Sequence, residues 1–267
     1  MPTQVQIAST TPTLATVHIR RSLGKLTPTQ LADVRAAFAK TMALDDDRGF
    51  WYFAGWHGEP FNWCHHHDRL FLPWHRAYLY YFELALQSQQ PGVTLPWWDW
   101  TVLDHVPHAY TAATVDGADN PLFVRKVRIY QSGTDQPAPP RDPGGPQSQG
   151  VPPPPYKQRL HHALQATSFL EFSRRLEAIH DDVHVWTGGI MQNIDRAAYD
   201  PVFFAHHTMV DRCWRIWQHR NPGALPPQEL LDHPLRPNGM TVRQTLDVTR
   251  LGYEYAGSAS HAPGSTP

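Results

Sequence analysis

Residues 64–75 read CHHHDRLFLPWH, four histidines and a cysteine with three of the histidines in an unbroken run. Successive side chains diverge on either a helix or a strand, so three adjacent imidazoles cannot all converge on one point. At most one of His65, His66 and His67 shares a centre with His75. That histidine follows Pro73-Trp74 and opens an apolar run, HRAYLYYFELALQSQ, which stops before Pro91-Gly92. Proline is tolerated in the first turn of a helix, so the stretch predicts a helix from near Pro73 with His75 turned inward. Arg76 and Glu83 on it are expected to face outward or to cap.

Working outward, TPTQLADVRAAFAKTMA (27–43) fits an amphipathic helix capped by Thr27 or Thr29, with Leu31, Val34, Phe38 and Met42 at helical spacing. Further helices are expected over 168–187 and 201–219, and LPWWDW (95–100) reads as a buried, irregular segment. Residues 133–155, GTDQPAPPRDPGGPQSQGVPPPP, are too rich in proline and glycine for regular helix or sheet. They read as a long surface loop rather than a divider, because the histidine motifs on either side must meet. The fold class is mainly α: a four-helix bundle core with long irregular loops, one domain over 1–256 and a flexible tail over 257–267.

The second histidine group has the clearer geometry. His180 and His184, in HDDVH, lie one turn apart on one helical face, so both imidazoles can reach one ion. HExxH is absent, which removes the general base of a zinc metalloprotease. A third ligand can come from His206 or His207 in DPVFFAHHTMVDRCW. Adjacent helical residues diverge by about 100°, so one of the pair faces the site and the other packs elsewhere. Asp211, four residues after His207, could accept that imidazole's second proton and fix its tautomer; a pair with Arg215 is the ordinary alternative. In the first group, His57 lies in the loop AGWHGEP, with His75 and one of His65–His67 beside it. Two all-imidazole sets without a carboxylate favour copper, with zinc as the alternative.

Composition narrows the function classes. The 267 residues carry a formal net charge of −1, which lacks the basic footprint of a nucleic-acid binder. Seventeen histidines raise the prior for metal chemistry, although His161, His162, His233 and His261 look like surface residues. The two cysteines, Cys64 and Cys213, make no disulfide framework; Cys213 reads as a core thiol. No apolar stretch is long enough to cross a bilayer, and no secretory leader is visible, so the chain reads as cytoplasmic.

At this point the residues resemble a known family. HGEPFNWCHH, FLPWHRAYLYYFE and LPWWDW, with LEAIHDDVHVWTGGIM and YDPVFFAHHTMVDRCWRIWQ, are similar to the type-3 copper proteins: tyrosinases, catechol oxidases and haemocyanins. The resemblance runs from the first helix to LGYEY (251–255) and implies two copper ions per chain, with O2 as co-substrate. It implies His57, His66 and His75 for the first ion and His180, His184 and His207 for the second, with His65 and His67 flanking. It also implies a thioether between Cys64 and His66, for which a free buried cysteine is the alternative. Glu177 resembles a glutamate that holds a water over the site, with Asp181 orienting that water; a surface pair with Arg174 is the alternative for Glu177. Ile194 falls at the entrance position and Phe203 or Phe204 near the first copper, though both phenylalanines could be plain core.

Arg20-Arg21 and LGYEY resemble the pairing that closes the catalytic domain, by arginine stacking on tyrosine. Only a dozen residues follow Tyr255, so no lid domain is expected. The chain is then active without proteolysis, or held by a separate copper-loading partner protein. The implied activity is oxidation of o-diphenols to o-quinones, with ortho-hydroxylation of monophenols. A catechol or o-aminophenol oxidase is the near alternative, and a haemocyanin-like oxygen carrier the distant one.

Overall fold

The computed structural model describes residues 17–258; the tail expected over 257–267 lies almost wholly outside the described residues, as does His261. Five helices carry the core: α1 (Pro28–Met42), α2 (Phe50–His57), α3 (Phe71–Gln89), α4 (Phe169–Thr187) and α5 (Val202–Arg220). α1 packs on α3, α3 on α5 and α5 on α4, while α3 also approaches α4. The chain is mainly helical, as expected, with the histidines buried between these helices.

Local chemistry sets the boundaries. Thr27 caps α1 through a capping box: its Oγ1 accepts from the Gln30 N–H at 3.2 Å, and its own N–H donates to Gln30 Oε1 at 2.9 Å. α2 is apolar all round and nearly every residue in it is buried, the pattern of a helix enclosed by protein on every side. His57 is its last residue, so the expectation of a loop at this position is corrected. α3 begins at Phe71, with Pro73 in its first turn, and ends before Pro91. Ser168 caps α4 by accepting from the Glu171 N–H.

Two strands bring the ends of the described chain together: β1 (His18–Arg20) pairs in parallel with β2 (Tyr253–Tyr255). The pairing delivers Arg20 into the interior, where its Nε donates to Glu83 Oε2 at 2.9 Å and its Nη1 to Asp211 Oδ2 at 3.3 Å. Its guanidinium lies 3.6 Å from the centre of the Tyr253 ring, the expected stacking. Arg76 Nε donates to Asp211 Oδ1 at 2.5 Å, and the hydroxyls of Tyr253 and Tyr255 donate to Asp211 Oδ2 at 2.7 and 2.6 Å. Arg76 and Glu83 are therefore buried partners, neither outward nor capping, because each has an opposite charge waiting across the core. The network clamps α3, α5 and the two strands β1 and β2 around the histidines.

The Pro/Gly-rich segment is more ordered than its composition suggests. Asp135–Pro137 forms a short strand against Lys126–Arg128, which corrects the expectation of no sheet there. Arg141 makes a two-pronged pair with Asp200, at 2.7 and 2.5 Å, and Asp200 in turn accepts from the Val202 N–H at the start of α5. The segment thereby steadies the helix that carries His206 and His207.

Candidate metal centre

Two histidine clusters meet in the core. His57, His66 and His75 form one and His180, His184, His206 and His207 the other, with one nitrogen of each residue within 4.8 Å of the rest of its cluster. The clusters touch: the rings of His75 and His207 stack at 4.6 Å, and those of His66 and His180 at 5.7 Å. Among His65–His67, His66 is thus the residue brought inward. His65 instead pairs with Asp68 at 2.6 Å, and His67 takes a left-handed backbone (φ 55°) that turns the run away from the core.

Backbone carbonyls hold the rings in one tautomer. Nδ1 of His57 lies 3.1 Å from the Ile194 carbonyl, that of His75 2.8 Å from Phe71, and that of His184 2.7 Å from Met191. A carbonyl only accepts, so each Nδ1 carries the proton and each Nε2 presents a lone pair inward. His180 is held likewise by Asp181 Oδ1 at 3.0 Å. Two glycines make the anchors reachable. At Gly58 a Cβ would stand 2.0 Å from the Asp195 carbonyl, so only glycine lets the 194–195 turn reach His57. At Gly188 (φ 71°) the chain leaves α4 and folds back as Gly189–Gln192 beneath His184.

The inward nitrogens are either unpartnered or crowded against one another. Nε2 of His57 and of His75 are buried without a hydrogen-bond partner among the described residues. Nε2 of His207 lies 3.2 Å from that of His180 and 3.0 Å from that of His184, three nitrogens with at most one proton to share. Burial, and then the neighbouring imidazoles, push His57, His75, His180 and His207 well below their usual pKa and His66 to about 4, while burial alone takes His184 to about 4. Neutral rings with crowded, unpaired lone pairs are poor packing but good ligands. The donor set fits a cation in each cluster: neutral imidazoles suit copper and zinc, and no thiolate or carboxylate belongs to either set.

The structure relocates several expected residues. His206 does not pack elsewhere: it joins the second cluster, its ring stacked on His180 at 5.1 Å and both nitrogens unpartnered. Asp211 does not bond His207, because its oxygens are taken by Arg76, Arg20 and two tyrosines; Arg215 pairs with Glu254 instead. His207 is positioned by Phe203, whose ring stacks on it at 3.9 Å and meets His57 edge-on at 4.7 Å. Phe203 is fully buried and lies beneath the cluster rather than in a substrate pocket, while Phe204 stacks on Phe82 as core. Cys64 is a partly buried free thiol, pushed up to about 12 by burial. Cys213 is a fully buried core thiol.

A cavity of about 290 Å³ opens over the clusters, lined by His57, His66, His67, His180, His184 and Asp181 with apolar walls from Val185, Met191, Ile194 and Ala197. Ile194 is 49% exposed at this cavity. Asp181 lines it, and burial raises the pKa of this carboxyl. Glu177 lies just outside, its Oε1 accepting the His67 N–H at 2.5 Å; burial pushes it up to about 7, with Asp181 adding to the effect. The anchoring carbonyls of Phe71, Met191 and Ile194 left no mark in the sequence, since any residue supplies a carbonyl. The HH doublet was the visible signal for His206.

Similarity to known proteins agrees with this site. The sequence pattern of the common central domain of tyrosinase matches residues 47–220. Grixazone synthase of Streptomyces griseus is 34% identical over 246 residues, covering 69% of this chain and 79% of that protein. Hemocyanin 1 of Megathura crenulata is 29% identical over 92% of this chain, which spans only 8% of that protein's length. A functional unit of octopus haemocyanin superposes with a TM-score of 0.74 at 26% identity, covering 91% of this chain and 69% of that one. With the matched domain enclosing both histidine clusters whole, the chain belongs to the tyrosinase family of type-3 copper proteins.

Proposed function

We propose that the chain is an oxygen-dependent oxidase that converts o-diphenols to o-quinones and also hydroxylates monophenols, with a catechol or o-aminophenol oxidase lacking the hydroxylation as the alternative. The observation that carries this reading is the cavity. Unpaired histidine nitrogens form the floor of an open space with apolar walls, small among ligand sites and suited to one aromatic ring. His57, His66, His75, His180, His184 and His207 would hold two copper ions, which when bound supply a two-electron couple to dioxygen and a Lewis acid for a phenolate.

The protein's own residues then bind and orient the ring. Val185 and Ile194 would flank it, and Asp181 beside His180 would accept from a phenolic or amino proton. Glu177 is suited to the extra proton transfer that a monophenol requires, because a carboxyl near pKa 7 both takes and releases a proton at neutral pH. Its Oε1 is fixed by the His67 N–H, which leaves Oε2 to take the proton through a water. We also propose the Cys64–His66 thioether, formed between Sγ and a ring carbon with two hydrogens passed to dioxygen. Peptide mapping that finds the two residues unjoined in copper-loaded protein would remove it.

Similarity to a bacterial synthase over most of its length supports an enzyme, while similarity to haemocyanins supports a carrier. Oxygen uptake by copper-loaded protein with catechol, o-aminophenol and tyramine, against a His75→Ala control, separates them. Uptake lost in the control is expected. Reversible oxygen binding with no phenol consumed would instead make the chain a carrier.

A further inference from the structure

A second cavity, of about 430 Å³, adjoins the first, and His67 and Asp181 line both. A molecule whose ring sits over the histidines can therefore extend an arm past His67 along the face of α4. Most polar groups in this groove are already paired. Asp68 accepts from His65 and from the Leu70 N–H, Asp181 from His180, and Glu177 from the His67 N–H. Arg69 pairs with Glu229 at 2.7 Å.

On α4, two polar side chains of the groove have no hydrogen-bond partner among the described residues, and both can donate. Ser173 is 3% exposed, yet its Oγ has no hydrogen-bond partner, a costly state for a buried hydroxyl. Arg174, next to it, is exposed at the groove and has no hydrogen bond or ion pair among the described residues. Glu177 stands three residues on, but its one hydrogen bond is to the His67 N–H and it makes no ion pair with Arg174. Leu170, 41% exposed, adds an apolar wall to the same groove. An unpaired guanidinium and an unpaired hydroxyl beside a short apolar wall describe a receptor for a carboxylate on a short hydrocarbon arm.

We propose that this groove is a substrate subsite, in which Arg174 and Ser173 bind the carboxylate of an arylalkanoic acid whose phenolic ring occupies the histidine cavity. The inference rests on the oxidase reading and narrows its substrate class to acidic phenols. The ring remains the reacting part; the arm sets affinity and orientation.

The test compares 3-(3,4-dihydroxyphenyl)propanoate with its methyl ester, using oxygen uptake by the copper-loaded full chain. The wild type favours the acid, and Arg174→Ala lowers the acid-to-ester ratio of kcat/KM about fivefold, the upper range for an exposed ion pair, mainly through KM. Arg174→Lys restores most of the ratio, Arg174→Glu inverts the preference, and Ser173→Ala lowers the ratio alone. An acid-to-ester ratio equal in wild type and Arg174→Glu overturns the subsite while leaving the oxidase standing. Calorimetric binding of 3-phenylpropanoate, which cannot be oxidised, reads the subsite without turnover. Binding that is lost in Arg174→Glu, in a protein that consumes no phenol, keeps the subsite and removes the oxidase.

Discussion

Asp211→Asn is the most informative single change to the fold. It keeps the side-chain shape but removes the only carboxylate that Arg76 meets among the described residues. Arg20 still pairs with Glu83 at 2.9 Å, and the hydroxyls of Tyr253 and Tyr255 can still donate to the amide oxygen. Arg76 retains Gln218 Oε1 and the Thr245 carbonyl, both at 3.1 Å, and the face of Trp214 at 3.6 Å. None of these carries charge. The expected cost is that of one broken buried ion pair, about 3–5 kcal/mol. At about 2–4 °C per kcal/mol for a chain of this size, the thermal midpoint falls by roughly 6–20 °C.

The pH dependence follows from the same contacts. Burial opposes the Asp211 charge, but Arg76, Arg20 and the two tyrosine hydroxyls more than offset it and hold its pKa below the ordinary carboxylate value. A depressed pKa means that the contribution is present above the unfolded value and lost as pH falls through the folded one. The gap between wild type and variant should therefore be flat across neutral and mildly acidic pH. Scanning calorimetry of metal-free protein reads it. A shift under about 2 °C would refute the argument that this network clamps the bundle.

Other expectations follow from the site. In copper-free protein, His57, His66, His75, His180, His184, His206 and His207 all have lowered pKa values. Stability should fall as pH drops from the usual histidine range toward about 4, with several protons taken up per unfolding event, as an acid titration followed by circular dichroism would show. Glu177 acts with the opposite sign: its raised pKa favours the fold below the usual glutamate range, and that contribution is lost as pH rises through about 7. Glu177→Gln should slow monophenol hydroxylation by about a hundredfold, the low end for general-base catalysis. Catechol oxidation should change far less, and equal losses on both substrates would remove Glu177 from the proton path. Gly58→Ala forces a Cβ into the Asp195 carbonyl and displaces the His57 anchor beside it, so copper affinity by competitive chelation should drop about tenfold or more. Thr27→Ala should cost only about 1 kcal/mol in urea unfolding, the value of a helix cap.

Features written in short-range spacing were legible in the sequence. The Thr27 cap, the His180–His184 pair and the proline-started helix at His75 each depend on residues within a turn or two, and each stands where spacing put it. Features made by distant partners were not. Arg20 meets Asp211 across 191 positions, so nothing near either residue announced a buried pair, and Arg76 and Glu83 looked like ordinary surface charges. Asp211 sat at a plausible distance from His207 along its own helix, yet the stronger charges of two arginines claimed it. Glu177 met the His67 backbone across 110 positions, a contact that no side-chain pattern encodes. His206 was misplaced for a geometric reason: a 100° separation on a helix still lets two long rings straddle one centre.

Copper content tests the central claim most directly. Protein loaded with copper, dialysed and measured by metal analysis should hold two copper ions per chain, with one lost in His57→Ala and one in His184→Ala. Two ions in the wild type, reduced one at a time, is the result of two adjacent histidine centres. A single ion, or a wild type that retains zinc and releases copper, would contradict it.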